Sequence, residues 1–113
     1  MTIKPKTIYL SGAISGNPDY RKEFAFAEKE LTKRGFAVVN PALRDGCDTW
    51  EEYMRADIAD LVTKCNAVAI VNNILNSRGA LLEYEIAFEL GMEIRPIGEW
   101  LLSYSPRKTG RLQ

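Results

Sequence analysis

Histidine is absent from the 113 residues of the sequence. Imidazole is the usual general base beside a serine or cysteine nucleophile, and it is a frequent zinc ligand. Its absence excludes Ser-His and Cys-His nucleophilic pairs and every zinc site that uses imidazole. Acid–base chemistry in this protein must therefore use carboxylates, tyrosine, lysine or groups of the ligand.

Cysteine and long apolar runs are scarce as well. Cys47 and Cys65 form no C-x-x-C arrangement, and we expect both to be reduced packing residues. The longest apolar runs, such as residues 67–71, are far too short to span a bilayer, and the N-terminal residues lack the apolar stretch of a signal peptide. We therefore expect a cytoplasmic protein with no membrane partner.

Neither sign of charge is in excess, because 15 lysines and arginines are matched by 15 aspartates and glutamates. Such a chain has no overall field that attracts polyphosphate, so a nucleic-acid polymer is not expected as a partner. The length fits one domain, since splitting the chain would leave two marginal cores. We assign residues 1–113 to that single domain.

Short β-branched runs alternate with longer stretches of helical period, which is typical of β-α-β units. The strand candidates are residues 7–11, 36–40, 67–72 and 93–97. Because these strands are apolar at consecutive positions, both of their faces should be covered. The pattern predicts an α/β fold in which a parallel sheet lies between helices.

Capping signals mark the ends of three helices. Asn17 is a candidate N-cap, with Pro18 at the first helical position and Gly35 just past the end. The apolar stripe of this first helix is Tyr20, Phe24, Ala27 and Leu31. The second helix opens with a capping box at residues 49–52 and runs to about residue 64. The third begins near Ser77 and ends before Gly91.

Two carboxylates fall on the apolar faces of the second and third helices. Asp57 projects at nearly the same angle as Trp50 and Leu61, and Glu83 shares its arc with Ala87. An ionised carboxylate is costly to bury without a partner, so something must compensate. Each carboxylate could pair with a basic residue or lie at a subunit contact. Alternatively, both could line a cleft and contact a polar ligand.

The loops after the first and third strands should lie beside these carboxylates, because ligands of open α/β sheets bind beyond the carboxyl ends of the strands. Residues 11–16 read Ser-Gly-Ala-Ile-Ser-Gly, which is neither a dinucleotide-binding nor a Walker A motif. Their glycines still let backbone N–H groups approach a sugar or a single phosphate. Ser77 and Arg78 could also bind an anion, although an ordinary serine cap and a solvated arginine are equally good interpretations.

Taken together, four motifs resemble those of the nucleoside 2-deoxyribosyltransferase-like superfamily. They are Ile-Tyr-Leu-Ser-Gly at residues 8–12, Val-Asn-Pro at 39–41, Trp-x-x-Tyr-Met-x-x-Asp at 50–57 and Ser-x-Gly-Ala-x-x-Glu at 77–83. The match covers about residues 7–97 and leaves 98–113 as a C-terminal tail. It is most similar to a small phage and bacterial subgroup, mostly of undefined activity. The resemblance implies a flavodoxin-like, doubly wound parallel sheet of four to five strands with helices on both faces.

The resemblance also implies chemistry: cleavage or exchange of the N-glycosidic bond of a deoxyribonucleoside or its 5′-monophosphate, without a metal or organic cofactor. Glu83 would be the nucleophile that attacks the anomeric carbon, Asp57 would lie near the base or sugar, and Tyr9 would orient the nucleophile. A second carboxyl group, protonated through desolvation, could deliver a proton to the departing base. The expected substrate-binding residues are Gly12, Ser15, Gly16, Asn40, Asn72, Ser77 and Gly79.

The sequence departs from many relatives at residues 73–75, where Asn-Ile-Leu replaces a Gly-Trp pair, and at Asn66, where an aspartate is common. Three alternatives stay open: a hydrolase of deoxynucleoside 5′-monophosphates, a nucleotide-binding protein without catalysis, and a structural oligomer whose carboxylates form inter-subunit pairs. In the families that this chain resembles, a neighbouring subunit supplies part of the pocket of such short chains, so the resemblance implies a homodimer or a larger assembly. In the tail we expect Trp100, Leu101 and Leu102 to pack on a neighbour, and Arg107, Lys108 and Arg111 to form a frayed end.

Overall fold

The computed structural model describes residues 6–107, which form one four-stranded sheet with helices around it. The strands are β1 (Thr7–Ser11), β2 (Ala37–Val39), β3 (Ala67–Ile70) and β4 (Glu93–Pro96). The helices are α1 (Tyr20–Lys33), α2 (Trp50–Lys64), α3 (Arg78–Glu89) and α4 (Ile97–Ser103), and a single 3-10 turn, Pro41–Leu43, follows β2. The predicted α/β fold is confirmed. Three of the strands are one or two residues shorter than the sequence indicates.

The sheet order is β2-β1-β3-β4, and all neighbouring strands are parallel. The chain builds outward from β1 to β2, then crosses to the other side of β1 to form β3 and β4. The direction of winding therefore reverses between β1 and β3, as in a flavodoxin-like doubly wound sheet. Crevices for ligands open at the carboxyl ends of the two strands that flank such a switch.

The alternation of side chains along β1 separates the two halves of the core. Ile8 and Leu10 are fully buried on the face that packs against α1 and α4. Tyr9 belongs to the core on the opposite face, which α2 and α3 cover through Leu61 and Ala87. The polar atoms of β1 side chains at odd positions consequently point toward the helices that carry the two carboxylates.

Two of the three predicted helix starts are confirmed. The Ser77 hydroxyl accepts a hydrogen bond from the backbone N–H of Ala80 at 3.2 Å, and the Thr49 hydroxyl accepts one from Glu52 at 3.1 Å. The return bond of the predicted capping box is displaced by one residue, since the Glu52 carboxylate accepts from the N–H of Asp48 at 3.0 Å. Both helices thus begin where a short polar side chain satisfies a free amide.

The predicted start of α1 at Asn17 is wrong. The helix begins at Tyr20, and its N-cap residue, Asp19, makes no side-chain capping bond. The Asn17 side chain instead accepts a hydrogen bond from the N–H of Asp19 and donates to the Glu23 carboxylate and to the carbonyl of Ala13. These bonds stabilise a turn before the helix, so the asparagine connects the first loop to α1.

The expectation that Trp100 packs on a neighbour is also wrong. Its side chain is fully buried within the chain, packs edge-to-face on Phe36 with ring centroids 5.6 Å apart, and donates its indole N–H to the carbonyl of Val68 at 3.1 Å. A short helix that follows β4 covers the same face as α1, so the indole fills a gap between them. Leu101 is partly buried against the same cluster, whereas Leu102 is 90% exposed.

The backbone N–H of Arg107 donates to the carbonyl of Lys33 at 2.7 Å, so the frayed end expected there does not begin at this residue. Lys108 and Arg111, the other members of the predicted basic end, lie outside the described residues. Across residues 6–107, no helix combines the length and the apolar character that crossing a membrane requires.

Candidate active site

Glu83 lies on α3 with its carboxylate directed at β1 and is only 5% exposed. Tyr9 donates its hydroxyl to Glu83 Oε2 at 2.7 Å, and Ser11 donates its hydroxyl to Oε1 at 2.8 Å. Each carboxylate oxygen therefore has one neutral donor. Within the described part of the chain no lysine or arginine forms an ion pair with this carboxylate.

Burial raises the pKa of Glu83 to about 7, a rise to which the charge of Asp57 adds. The hydrogen bonds from Tyr9 and Ser11 act in the opposite direction, because hydroxyl donors favour the ionised carboxylate. The pKa of Tyr9 is raised by burial and by the charge of Glu83, so the phenol stays a hydrogen-bond donor. Glu83 can consequently exchange between its two protonation states near neutral pH.

This rise in the pKa of Glu83 has a measurable effect on stability. Because the pKa is higher in the folded state than its ordinary 4.5, the contribution of Glu83 is fully favourable below about pH 4.5 and is lost as the pH rises to about 7. We expect the unfolding free energy of the wild type, relative to Glu83→Gln, to fall by about 3 kcal/mol between about pH 4.5 and about pH 8. Urea unfolding of both proteins at several pH values measures this difference. Parallel pH profiles of the two proteins would show that the Glu83 pKa is not raised.

Asp57 is buried on the inner side of α2, but its environment differs from that of Glu83. Arg44, in the segment between the 3-10 turn and α2, donates its Nε–H to Asp57 Oδ1 at 2.8 Å. Nη2 of the same guanidinium lies 2.5 Å from Asp60 Oδ2. Burial raises the pKa of Asp57, and the hydrogen bond and charge of Arg44 oppose that rise. Pairing with a basic residue, one of the alternatives left open for each carboxylate, thus holds for Asp57, whereas Glu83 has no such partner among residues 6–107.

Both carboxylates line a cavity of about 670 Å³ at the carboxyl end of β1. Ligand pockets typically measure roughly 300–1,000 Å³, so the cavity has the size of a small-molecule site. Tyr53 and Trp50 of α2 form part of its wall, and the guanidinium of Arg78 stacks 4.0 Å from the centre of the Trp50 ring. The cavity is therefore lined by an aromatic wall and by the two buried carboxylates.

Four of the predicted substrate-binding residues line this cavity, namely Gly12, Ser15, Ser77 and Gly79. The two glycines among these four residues allow close packing. A Cβ at residue 12 would lie 2.9 Å from Asn72 Oδ1, and one at residue 79 would lie 3.0 Å from the sulfur of Met54. A side chain at residue 12 would therefore displace the Asn72 amide, and one at residue 79 would require the Met54 side chain to shift.

Gly16, Asn40 and Asn72 do not line the cavity. Asn40 donates to the carboxylate of Glu28 and caps the 3-10 turn. Asn72 accepts from the N–H of Ala13 at 2.7 Å and donates to the Glu23 carboxylate at 2.8 Å. Asn72 thereby holds the first loop against the end of β3, and its contacts are with the protein itself.

Sequence reasoning assigned no role to two residues of the site. Ser11 follows Tyr9 by two positions on a strand, so the alternation of side chains alone indicates that both hydroxyls face the same helix. Arg44 gave no comparable signal, because it lies in an irregular segment 13 positions before Asp57. Residues 6–107 contain no cluster of three or more cysteine, aspartate or glutamate side chains that could hold a metal ion.

The structure corresponds to the class of doubly wound α/β domains, and in it a buried, hydroxyl-bonded glutamate lines a cavity of about 670 Å³. Within that class, the chain belongs to the family described as "Domain of unknown function (DUF4406)", whose sequence profile matches residues 6–95. The matched region includes both carboxylates and every strand except the last residue of β4. No curated protein matches the sequence.

Proposed function

We propose that this protein cleaves or exchanges the N-glycosidic bond of a deoxyribonucleoside or its 5′-monophosphate, with Glu83 as the nucleophile. The observation that supports the proposal is the Glu83 carboxylate itself, which is buried, has no basic partner in residues 6–107 and lines a cavity of about 670 Å³. A carboxylate kept without a countercation stabilises positive charge that develops on a substrate. Cleavage of an N-glycosidic bond develops such charge on the sugar.

The proposed reaction has two steps. A Glu83 oxygen bonds to the anomeric carbon while the C–N bond breaks, and the electron pair of that bond leaves with the base, which takes up a proton from solvent water. In hydrolysis, water then bonds to the anomeric carbon, the ester bond breaks to regenerate the Glu83 carboxylate, and the water releases a proton. In exchange, the nitrogen of a second base takes the place of water. Tyr9 and Ser11 hold the two carboxylate oxygens throughout and so orient the nucleophile.

A panel of deoxyribonucleosides and their 5′-monophosphates, each with and without a second free base, tests the proposal. Released and exchanged bases are separated by chromatography, with Glu83→Gln assayed beside the wild type. Base release by the wild type alone supports the nucleophile assignment. Equal release by both proteins would refute it. If no substrate reacts but ligands raise the melting temperature, the protein is a nucleotide binder without catalysis.

The 5′-monophosphate is the second candidate substrate, because the cavity is lined by Ser15 of the loop after β1 and by Ser77 and Arg78 at the start of α3. Hydroxyls, backbone amides and a guanidinium are groups that bind phosphate. In that case 2-deoxyribose 5-phosphate accumulates and inorganic phosphate competes with the substrate. Unmodified nucleosides would then react much more slowly than their monophosphates.

A further inference from the structure

Only one of the two carboxylate oxygens of Asp57 accepts a hydrogen bond within residues 6–107. Its Oδ1 accepts from Arg44, whereas Oδ2 has no hydrogen-bond partner in residues 6–107. No fully buried polar side-chain atom in this part of the chain lacks a partner, so Oδ2 is an accessible atom. Because Asp57 lines the cavity and its side chain is only 9% exposed, a ligand in the cavity would be the group that reaches Oδ2.

Arg44 orients this carboxylate and favours its ionised form. The guanidinium is rigid and planar, and its Nη2 forms an ion pair with Asp60. Asp60 also pairs with Lys64 at 3.1 Å. The positive charge of Arg44 and its hydrogen bond to Oδ1 favour the ionised aspartate, against the effect of burial. An ionised carboxylate accepts hydrogen bonds and donates none. This arrangement argues against Asp57 as the acid that protonates a departing base.

The position of Asp57 relative to the aromatic wall indicates which part of a ligand it meets. Trp50, Tyr53 and Asp57 are spaced three and four residues apart on α2, so they follow one another along a single face of the helix. All three line the cavity. A flat heterocycle that lies along the aromatic side chains presents its edge to the carboxylate.

We infer that Arg44 is a positioning residue that holds Asp57 as a hydrogen-bond acceptor, so that the site selects bases with an N–H donor on the edge that faces α2. The inference depends on the proposed function only in taking a nucleoside or nucleotide as the ligand. It goes further by stating the direction of the hydrogen bond that recognises the base: the base donates and the protein accepts. It also assigns to Arg44, which lines the cavity, a role that it performs through Asp57.

Binding, measured by calorimetry in the Glu83→Gln background so that no ligand is consumed, tests the inference separately from turnover. The ligand pairs differ by one donor: 2′-deoxyadenosine against purine 2′-deoxyriboside, and thymidine against N3-methylthymidine. We expect the donor-bearing member of at least one pair to bind about tenfold to a hundredfold more tightly, as hydrogen bonds to a charged group do. 2′,3′-Dideoxyadenosine should bind like 2′-deoxyadenosine, since the donor is on the base.

Substitutions at the ion pair give the sharper result. In Asp57→Asn, Arg44 still donates to the side-chain oxygen, and the amide NH₂ takes the place of Oδ2. The binding preference should therefore reverse toward the ligand without the N–H donor. Arg44→Met should reduce the preference to less than about threefold, and Arg44→Lys should restore part of it. Arg21→Met removes another basic side chain that lines the cavity and should leave the preference unchanged.

The outcomes separate the two proposals. Tight binding without a donor preference, or a preference that survives both Asp57→Asn and Arg44→Met, would overturn the inference and leave the glycosidic proposal intact. A reversed preference in Asp57→Asn supports the inference even if Arg44→Met does not fold. Absence of binding by every nucleoside and monophosphate would overturn the proposed function together with the inference.

Discussion

Glu83→Gln is expected to lower the rate of base release by at least about a thousandfold, which corresponds to about 4 kcal/mol in activation free energy. Glutamine has nearly the same shape, and its amide group can hydrogen-bond with the hydroxyls of Tyr9 and Ser11, so the site geometry is retained. What is lost is the negative charge and the oxygen that bonds to the anomeric carbon. Single-turnover chromatography with the best substrate of the panel measures the loss.

The matched control for this prediction is Glu85→Gln. Glu85 is an exposed carboxylate on the same helix, two positions away, so the substitution removes the same charge from α3 without touching the cavity. We expect it to change base release by less than about twofold. A loss of activity in Glu85→Gln as large as in Glu83→Gln would indicate a general electrostatic effect and contradict the nucleophile assignment.

Activity and stability should move in opposite directions at Glu83. Burial of the ionised form is unfavourable near and above pH 7, so the glutamine variant is expected to be the more stable protein under the conditions in which it is the less active one. Residues that are retained at a cost in stability are typical of functional sites. A gain in stability together with a loss of activity distinguishes a functional carboxylate from a structural one, because removal of a structural carboxylate lowers stability.

Much of the fold could be predicted from the sequence because its signals are local. Gly35 and Gly91 both adopt positive φ angles just past α1 and α3, where the helical pattern ends. The two central strands, β1 and β3, are buried by helices from both sides of the sheet, which explains why their apolar residues are consecutive. The order of the strands follows less directly, since it depends on which crossover covers which face.

The two buried carboxylates could also be located from the sequence, because the helical period alone places Asp57 and Glu83 on inward faces. Their different partners could not. The Tyr9–Glu83 and Arg44–Asp57 contacts join residues 74 and 13 positions apart, and only the packing of α2 and α3 on the sheet decides which donor reaches which carboxylate. The resemblance suggested Tyr9 as an orienting residue, and nothing in the sequence suggested Arg44.

Asn17 and Trp100 show why plausible local signals fail. An asparagine before a proline is a good helix start, but Asn17 makes more hydrogen bonds as a connection between the first loop and α1. An apolar cluster after the last strand resembles a subunit contact when α4 is not foreseen. Once α4 forms, the indole has an intramolecular site beside Phe36. In both cases tertiary contacts outweigh the local pattern.

Trp100→Ala is expected to lower the unfolding free energy by about 4 kcal/mol, the range for removal of a fully buried tryptophan. The substitution leaves a cavity between α1 and the sheet, and it removes the indole N–H that donates to the carbonyl of Val68. Trp100→Phe keeps most of the apolar contact and should cost less, about 1–2 kcal/mol. Urea unfolding, monitored by circular dichroism, measures both losses.

Leu102→Ala is the matched control, because Leu102 lies on the same helix and is 90% exposed. Its unfolding free energy should stay within about 0.5 kcal/mol of the wild type. Both variants should be measured at several protein concentrations, since a residue at a subunit contact affects stability through association. If the loss in Trp100→Ala is concentration-dependent and disappears for the dissociated chain, the indole serves an interface and the intramolecular role described for α4 is incorrect.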